Sequence, residues 1–222
     1  MIALVLTGLT AAVSSAVLSP AARASSDFTG FFVERDLAQA GWSTCAPVTW
    51  SADVSGMTSR QARAEVRGLK RAWRAWSAAS GIATEFAGRE RLAFDPATNG
   101  LRPLVGSPKS DRHVYVAFKT RGQVPIMASN AVGLAMPTVV MMPTQEIVAG
   151  MAIFRRGYVT AQRSLVPDRV QHLYLHEFGH ILGLGHAQGA DNIMHPTLNE
   201  STDLGDGDRA GIARLTQACL TP

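Results

Sequence analysis

The chain predicts an α+β fold, one domain with a mixed sheet, helices at both ends and strands between them. Three observations carry this. From Thr58 to Ala79, apolar residues recur at helical spacing, with Val66, Leu69, Trp73 and Trp76 on one face. Short β-rich runs separated by turn residues then fill the middle of the chain. Near Pro167 a second helical pattern begins, is interrupted at Gly183 and Gly185, and is followed by a third after Asp208.

With 222 residues, 46% hydrophobic and 17% charged, the chain can bury one substantial core and gives no sign of two. The net charge of +4 is modest. Its densest basic run, Arg60, Arg63, Arg67, Lys70, Arg71 and Arg74, has helical spacing and reads as one solvated face. No aromatic platform or Gly-rich phosphate loop accompanies it, so no nucleic-acid partner is expected.

Residues Ile2–Val17 are apolar and are followed by Pro20 and Ala22-Arg23-Ala24. Residues 1–24 therefore read as a secretory signal peptide cut after Ala24, although no Lys or Arg precedes the apolar run. The run is short for a membrane span, so no stable insertion is expected; retention as a weak anchor stays open. A secreted, extracellular monomer is the expectation. Residues 25–44 form an N-terminal arm or short pro-segment, with a short helix expected at Val33–Ala40, and residues 45–222 the functional domain. Cys45 and Cys219 suit an exported protein with a single disulfide tying the start of that domain to its end.

Element by element, Val48-Thr49-Trp50 is β-branched and aromatic and predicts the first strand. The long helix follows, with Thr58 and Gln61 as a capping box and Gly81 as its stop. Its Trp stripe predicts core. Ile82–Phe86 predicts a second strand. Gly88–Asp111, with Asp95-Pro96, Asn99-Gly100, Pro103 and Pro108, predicts a loop in which Asp95 and Asn99 could serve calcium or simply the turns. His113–Phe118 alternates as a third strand. Ala131–Met142 is broken by Pro137 and predicts an edge strand, since proline cannot donate inside a ladder. Met151–Phe154 predicts the last strand. Pro167 or Asp168 opens the next helix with Val170, Leu173 and Ile181 inward, and Asp208 caps a final helix, Arg209–Ala218.

The chemistry is concentrated in His176-Glu177-Phe178-Gly179-His180-Ile181-Leu182-Gly183-Leu184-Gly185-His186. Histidines four apart on a helix share a face and can reach one metal ion, with Glu177 at its flank. His186 can join them only if the helix stops and the chain turns back, which Gly183 and Gly185 permit by tolerating φ > 0. Three neutral imidazoles leave a fourth tetrahedral position for water, the arrangement of a catalytic zinc. His172, rotated off that face, reads as a surface or capping residue.

The pattern HExxHxxGxxH resembles the metzincin clan of zinc endopeptidases. Downstream, Asn192-Ile193-Met194-His195-Pro196 looks like the clan's Met-turn, and His-Glu-Phe-Gly-His followed by Leu-Gly-Leu-Gly-His is most similar to the matrixin branch, apart from Ala187 where matrixins usually carry Ser. The resemblance implies a mostly parallel twisted sheet with an active-site helix, a Met-turn and a C-terminal helix. It also implies one catalytic zinc on His176, His180 and His186, Glu177 as general base toward a zinc-activated water, and Met194 as an apolar floor. The substrate, a protein or peptide, would run along Gly133, Leu134 and Ala135, the stretch similar to the family's substrate-binding edge, and 196–206 would wall a side-chain pocket. His195 has the option of donating to the transition state. In matrixin zymogens a cysteine blocks the zinc, but Cys45-Ala46-Pro47 lacks that motif's neighbours. The second, structural zinc of many matrixins is not expected, because only His113 precedes the active-site helix. Two other readings are a secreted zinc-dependent binding module with vestigial activity and a zinc hydrolase acting on a non-peptide amide.

Overall fold

Thr58 starts the first helix as its side chain dictates: its hydroxyl accepts the Gln61 N–H at 3.3 Å while Gln61 Oε1 accepts the Thr58 N–H at 2.9 Å. This helix, α1 (Ser59–Ser80), ends at Gly81 with φ 75°, as the sequence predicts. The computed structural model describes residues 28–32, 37, 39–109, 111–127 and 130–219. The expected signal peptide lies outside them, as do residues 33–36 and 38 of the expected Val33–Ala40 helix.

Among the described residues, seven strands run in order as β1 (Val48–Asp53), β2 (Thr84–Arg89), β3 (Leu92–Asp95), β4 (Gly100–Pro103), β5 (His113–Lys119), β6 (Gly133–Met141) and β7 (Glu146–Arg155). Five make one sheet in the order β2-β1-β5-β7-β6. The first four of these run parallel, and β6 alone is antiparallel, paired to β7 at the edge. Pro137 therefore sits where a missing donor is tolerated, as expected. Three more helices close the domain: α2 (Arg156–Leu165), α3 (Pro167–Ile181) and α4 (Asp206–Leu215). This is a mixed, mostly parallel sheet with helices, the metzincin-like architecture.

The sheet is covered on both faces. On one side Val114, Val116 and Phe118 of β5 join Trp73 and Trp76 of α1 and Leu173 and Phe178 of α3 in the main core. Trp73 stacks on Phe178 with ring centres 4.3 Å apart, and Trp76 Nε1 donates to Leu175 O at 2.9 Å, so the Trp stripe is core and fixes α1 against α3. The six basic residues of α1 are all exposed on its other face. On the far side of the sheet, Tyr115, Ala117, Met151 and Ile153 pack under Leu92 and Leu101.

Leu92 and Leu101 belong to a β3–β4 hairpin where the sequence predicts only a loop. The turn signals were genuine: Asp95 Oδ1 accepts the Ala97 N–H at 3.0 Å, and Asn99 takes φ 50°. What the pattern hid is that four-residue arms beside such a turn can pair. Asp95 and Asn99 thus serve the turn, and calcium gains no support there. The hairpin is held to the sheet by Lys119, whose ammonium meets Asp53 at 2.6 Å while Asp53 also accepts the Leu92 N–H. Burial pushes the Asp53 carboxyl up, but these partners outweigh it and hold it below its usual range.

Two further corrections concern helices. α2 was not expected, since it has no side-chain cap and no acidic first turn. It is secured by tertiary contacts instead: Arg163 and the Tyr174 hydroxyl both meet Glu65 at 2.6 Å, joining α2 and α3 to α1. The last helix starts at Asp206 after Gly205, so Asp208 lies inside its first turn rather than at the cap. β7 is also longer than expected, beginning at Glu146. Cys45 and Cys219 form a disulfide with Cα atoms 4.7 Å apart, next to paired backbone at Thr44, Trp42 and Gln217. Cys45 is therefore not a free thiol that could reach a metal.

Candidate metal centre

Pro167 occupies the first turn of α3, where a missing N–H costs nothing, and the helix carries His176 and His180 on one face. It ends as the motif requires. Gly183 N–H donates to His180 O and Leu184 N–H to Gly179 O, both at 3.0 Å, while Gly183 adopts φ 99°. Only a residue without a Cβ takes that conformation cheaply, and the reversal returns His186 to the other two histidines. Gly185 needs no positive φ; its role is a close approach by residues 29 and 30.

The three rings converge, with centres 4.8 Å (His176–His180), 5.3 Å (His176–His186) and 5.0 Å (His180–His186) apart. One nitrogen from each lies within 4.8 Å of the others, and among the described residues this is the one such group of metal-capable side chains. His176 Nδ1 lies 2.8 Å from Ile193 O, and His180 Nδ1 lies 2.8 Å from Leu184 O. Donation to these carbonyls fixes the tautomer and leaves each Nε2 lone pair free. Burial also keeps the imidazoles neutral, lowering His176 to about 3, helped by His180, and His180 to about 4. Neutral, oriented, nitrogen-only donors at one point fit zinc.

Exposure grades from buried His176 to exposed His186, so the group opens on one side into a cleft of about 1110 Å³. Gly133, Leu134 and Ala135 of β6 line one wall, residues 29–32 another, and Glu177 sits with the histidines between them. Burial alone pushes the Glu177 carboxyl up to about 8 in the metal-free protein; a cation at the histidines would pull it back down.

Beneath the site, buried Met194 lies against Gly179 of α3, and Met194 O accepts the Ala187 N–H at 2.9 Å. The expected Met-turn, Asn192–Pro196, is itself held by residues whose sequence pattern does not assign them this role. Asp208, fully buried, accepts from Ile193 N (2.6 Å), Met194 N (3.0 Å) and Gly205 N (2.8 Å). Burial raises its carboxyl despite those three bonds. Asn192 Oδ1 accepts from Gly207 N at 2.9 Å. An Asn before the Met-turn and an Asp in the next helix were visible signals, but their meeting required the fold.

The remaining candidates divide. His172 is buried, not a surface residue; its ring stacks toward His176 and its Nδ1 lies 3.0 Å from Ser201 O, tying α3 to the 197–204 loop. His195 is half-buried and its Nδ1 accepts the Thr197 N–H at 3.2 Å. His113 is buried in the sheet between the hydroxyls of Thr49 (2.7 Å) and Ser51 (3.1 Å).

Residues 158–217, which span α3, the turn to His186, the Met-turn and α4, match the family model of the matrixins, Peptidase M10. Together with the mostly parallel sheet, this partial match fits a metzincin-like domain similar to the matrixins. The match supports a metalloprotease in general, and zinc is the metal that the matrixin family implies. A comparison with curated proteins finds no match. No described helix is long and apolar enough to cross a membrane.

Proposed function

We propose that this matrixin-type domain is a secreted zinc endopeptidase, with residues 45–222 as its catalytic domain and residues 1–24 as its signal peptide. The observation that carries the reading is the convergence of His176, His180 and His186 beside buried Glu177 at the floor of a cleft bounded by an edge strand. Zinc held by the three histidines supplies Lewis acidity toward the scissile carbonyl and activation of water.

The chain's own residues do the rest. Glu177 accepts a proton from the attacking water and returns it to the leaving nitrogen. Ile193 O and Leu184 O keep His176 and His180 in one tautomer. The edge of β6 not paired to β7 offers its backbone to an extended peptide along Gly133, Leu134 and Ala135, as strand addition requires. Met194 packs under the ligands as an apolar floor. The disulfide suits an oxidising, extracellular setting.

Paired variants test this. Glu177→Ala is expected to keep zinc and fold while losing nearly all hydrolysis of unfolded protein substrates; His180→Ala is expected to lose zinc. Near-parental turnover by Glu177→Ala would refute the mechanism. Peptide binding without cleavage by the zinc-loaded parent would instead favour a binding module.

A further inference from the structure

Residues 28–32 lie across the turn that carries the third histidine. Phe31 N–H donates to Gly183 O at 2.7 Å, Gly185 N–H donates to Thr29 O at 2.7 Å, and Thr29 Oγ1 donates to His186 O at 3.0 Å. Gly30 and Leu184 form an antiparallel bridge. Gly185 is shaped to this contact, because a Cβ there would collide with Thr29 Oγ1 and crowd Gly30 O. Half-buried Phe28 anchors the segment against the main core, beside Leu184 and Gly211 of α4.

Phe31 is the residue this strap delivers to the site. Its ring stands edge-on to His180, with centres 5.7 Å apart, and is supported by Phe32 at 5.1 Å. Phe31, Phe32 and Leu37 line the cleft, as do Met136 and Val140 of β6. The cleft wall beside the second ligand is therefore apolar and aromatic, and its shape depends on a segment remote in sequence from the motif.

We infer that residues 28–32 are a permanent wall of the cleft and that Phe31 is a specificity-determining residue, selecting an apolar side chain of the substrate where it passes His180. This rests on the peptidase reading. The strap's backbone bonds hold the turn of His186, so removing the segment as a pro-peptide would strip support from the site. An apolar pocket also discriminates by the contact area it buries, and a mismatch there changes kcat/KM by roughly 10- to 200-fold.

The test is cleavage-site profiling of the full exported chain on a proteome-derived peptide library, with Phe31→Ala and Phe31→Glu beside the parent. Zinc content and melting temperature are measured for each. The parent is expected to favour aliphatic or aromatic residues at one position of the profile. Phe31→Ala is expected to weaken that preference about ten-fold or more and leave the other positions unchanged. Phe31→Glu is expected to turn the same position toward Lys or Arg. A profile unchanged in folded, zinc-loaded variants overturns the inference, and so does a uniform rise in rate on every peptide, the sign of a self-inhibiting segment. Should both variants fail to fold, Phe31→Leu decides: it must alter the size preference at that one position, and an unaltered profile overturns the proposal. A parent that cleaves nothing counts against the peptidase reading instead. The same comparison is then made by fluorescence anisotropy of peptides binding to the Glu177→Gln chain, where a profile indifferent to Phe31 overturns the wall.

Discussion

The place a side chain of Gly133 would take is filled by the carboxyl of Glu177. A Cβ on Gly133 would collide with Oε1, and Cδ and Cγ would lie 2.6 and 2.9 Å from it. β6 and α3 thus meet at these two residues, 44 positions apart in sequence, and the contact fixes where the carboxylate can stand.

Gly133→Ala is therefore expected to displace the Glu177 carboxyl without touching a histidine. A misplacement of about 1 Å at a catalytic group can cost on the order of 100-fold in rate. The variant should keep parental zinc content and lose hydrolysis by about that factor. Parental kcat/KM in Gly133→Ala would show that the carboxyl is not held where the reaction needs it.

Asp208 makes a separate prediction, since it lies under the Met-turn and touches neither the histidines nor the cleft. Three backbone N–H groups end on its carboxylate, and Asp208→Asn leaves at least one of them facing an amide that cannot accept. A buried unsatisfied donor costs about 1–3 kcal/mol. Urea unfolding should register that loss. Zinc affinity should fall too, because Ile193, whose N–H Asp208 holds, supplies the carbonyl that orients His176. Full stability of the Asn variant would contradict this.

These two residues show where sequence reading stops. Spacing alone placed His176, His180 and the turn at Gly183, because helix periodicity and positive φ are local properties. The capping box at Thr58 and the edge strand at Pro137 were legible for the same reason. Asp208, Asn192 and the strap at 28–32 act through contacts between distant segments, and no local pattern announces that these segments meet. His172 misled because it stands one turn before His176 on the same side of α3, where the 197–204 loop covers it instead of water. The β3–β4 hairpin was lost because strong turn signals also describe a loop, and only the apolar underside of β5 and β7 gives Leu92 and Leu101 something to cover.

The disulfide closes a span of 174 residues between Cys45 and Cys219. In the chain-entropy model a loop of that length is worth up to about 5 kcal/mol, although measured gains are often smaller. Cys45→Ser with Cys219→Ser is expected to lower the melting temperature clearly while leaving hydrolysis at low temperature near parental, since neither cysteine lines the cleft. An equal loss of activity and stability at 10 °C would mean that the terminus positions the site.

The buried titratable groups predict how the metal-free protein responds to pH. His113, His176 and His180 are each lowered from 6.5, to about 4, 3 and 4, burial being the main cause. Between pH 6.5 and about 4 the unfolded chain binds protons at these positions that the folded chain refuses, so stability falls as pH falls. Each such proton is worth about 1.4 kcal/mol per pH unit. Glu177 works the other way: raised by burial from 4.5 to about 8, it keeps a proton in the folded state that the unfolded chain releases, so its contribution is lost as pH rises from 4.5 to 8. Below 6.5 these histidines, joined by His172 and His186, which burial also lowers, outweigh the Glu177 carboxyl; above 6.5 the loss from Glu177 remains. EDTA-treated protein should therefore melt highest near pH 6.5 and lower on both sides, more steeply on the acid side. Glu177→Gln should flatten the decline from pH 6.5 to 8 and leave the acid side in place. Identical alkaline limbs for parent and Gln variant, read by calorimetry across that range, would show that Glu177 is not the buried proton carrier its surroundings make it.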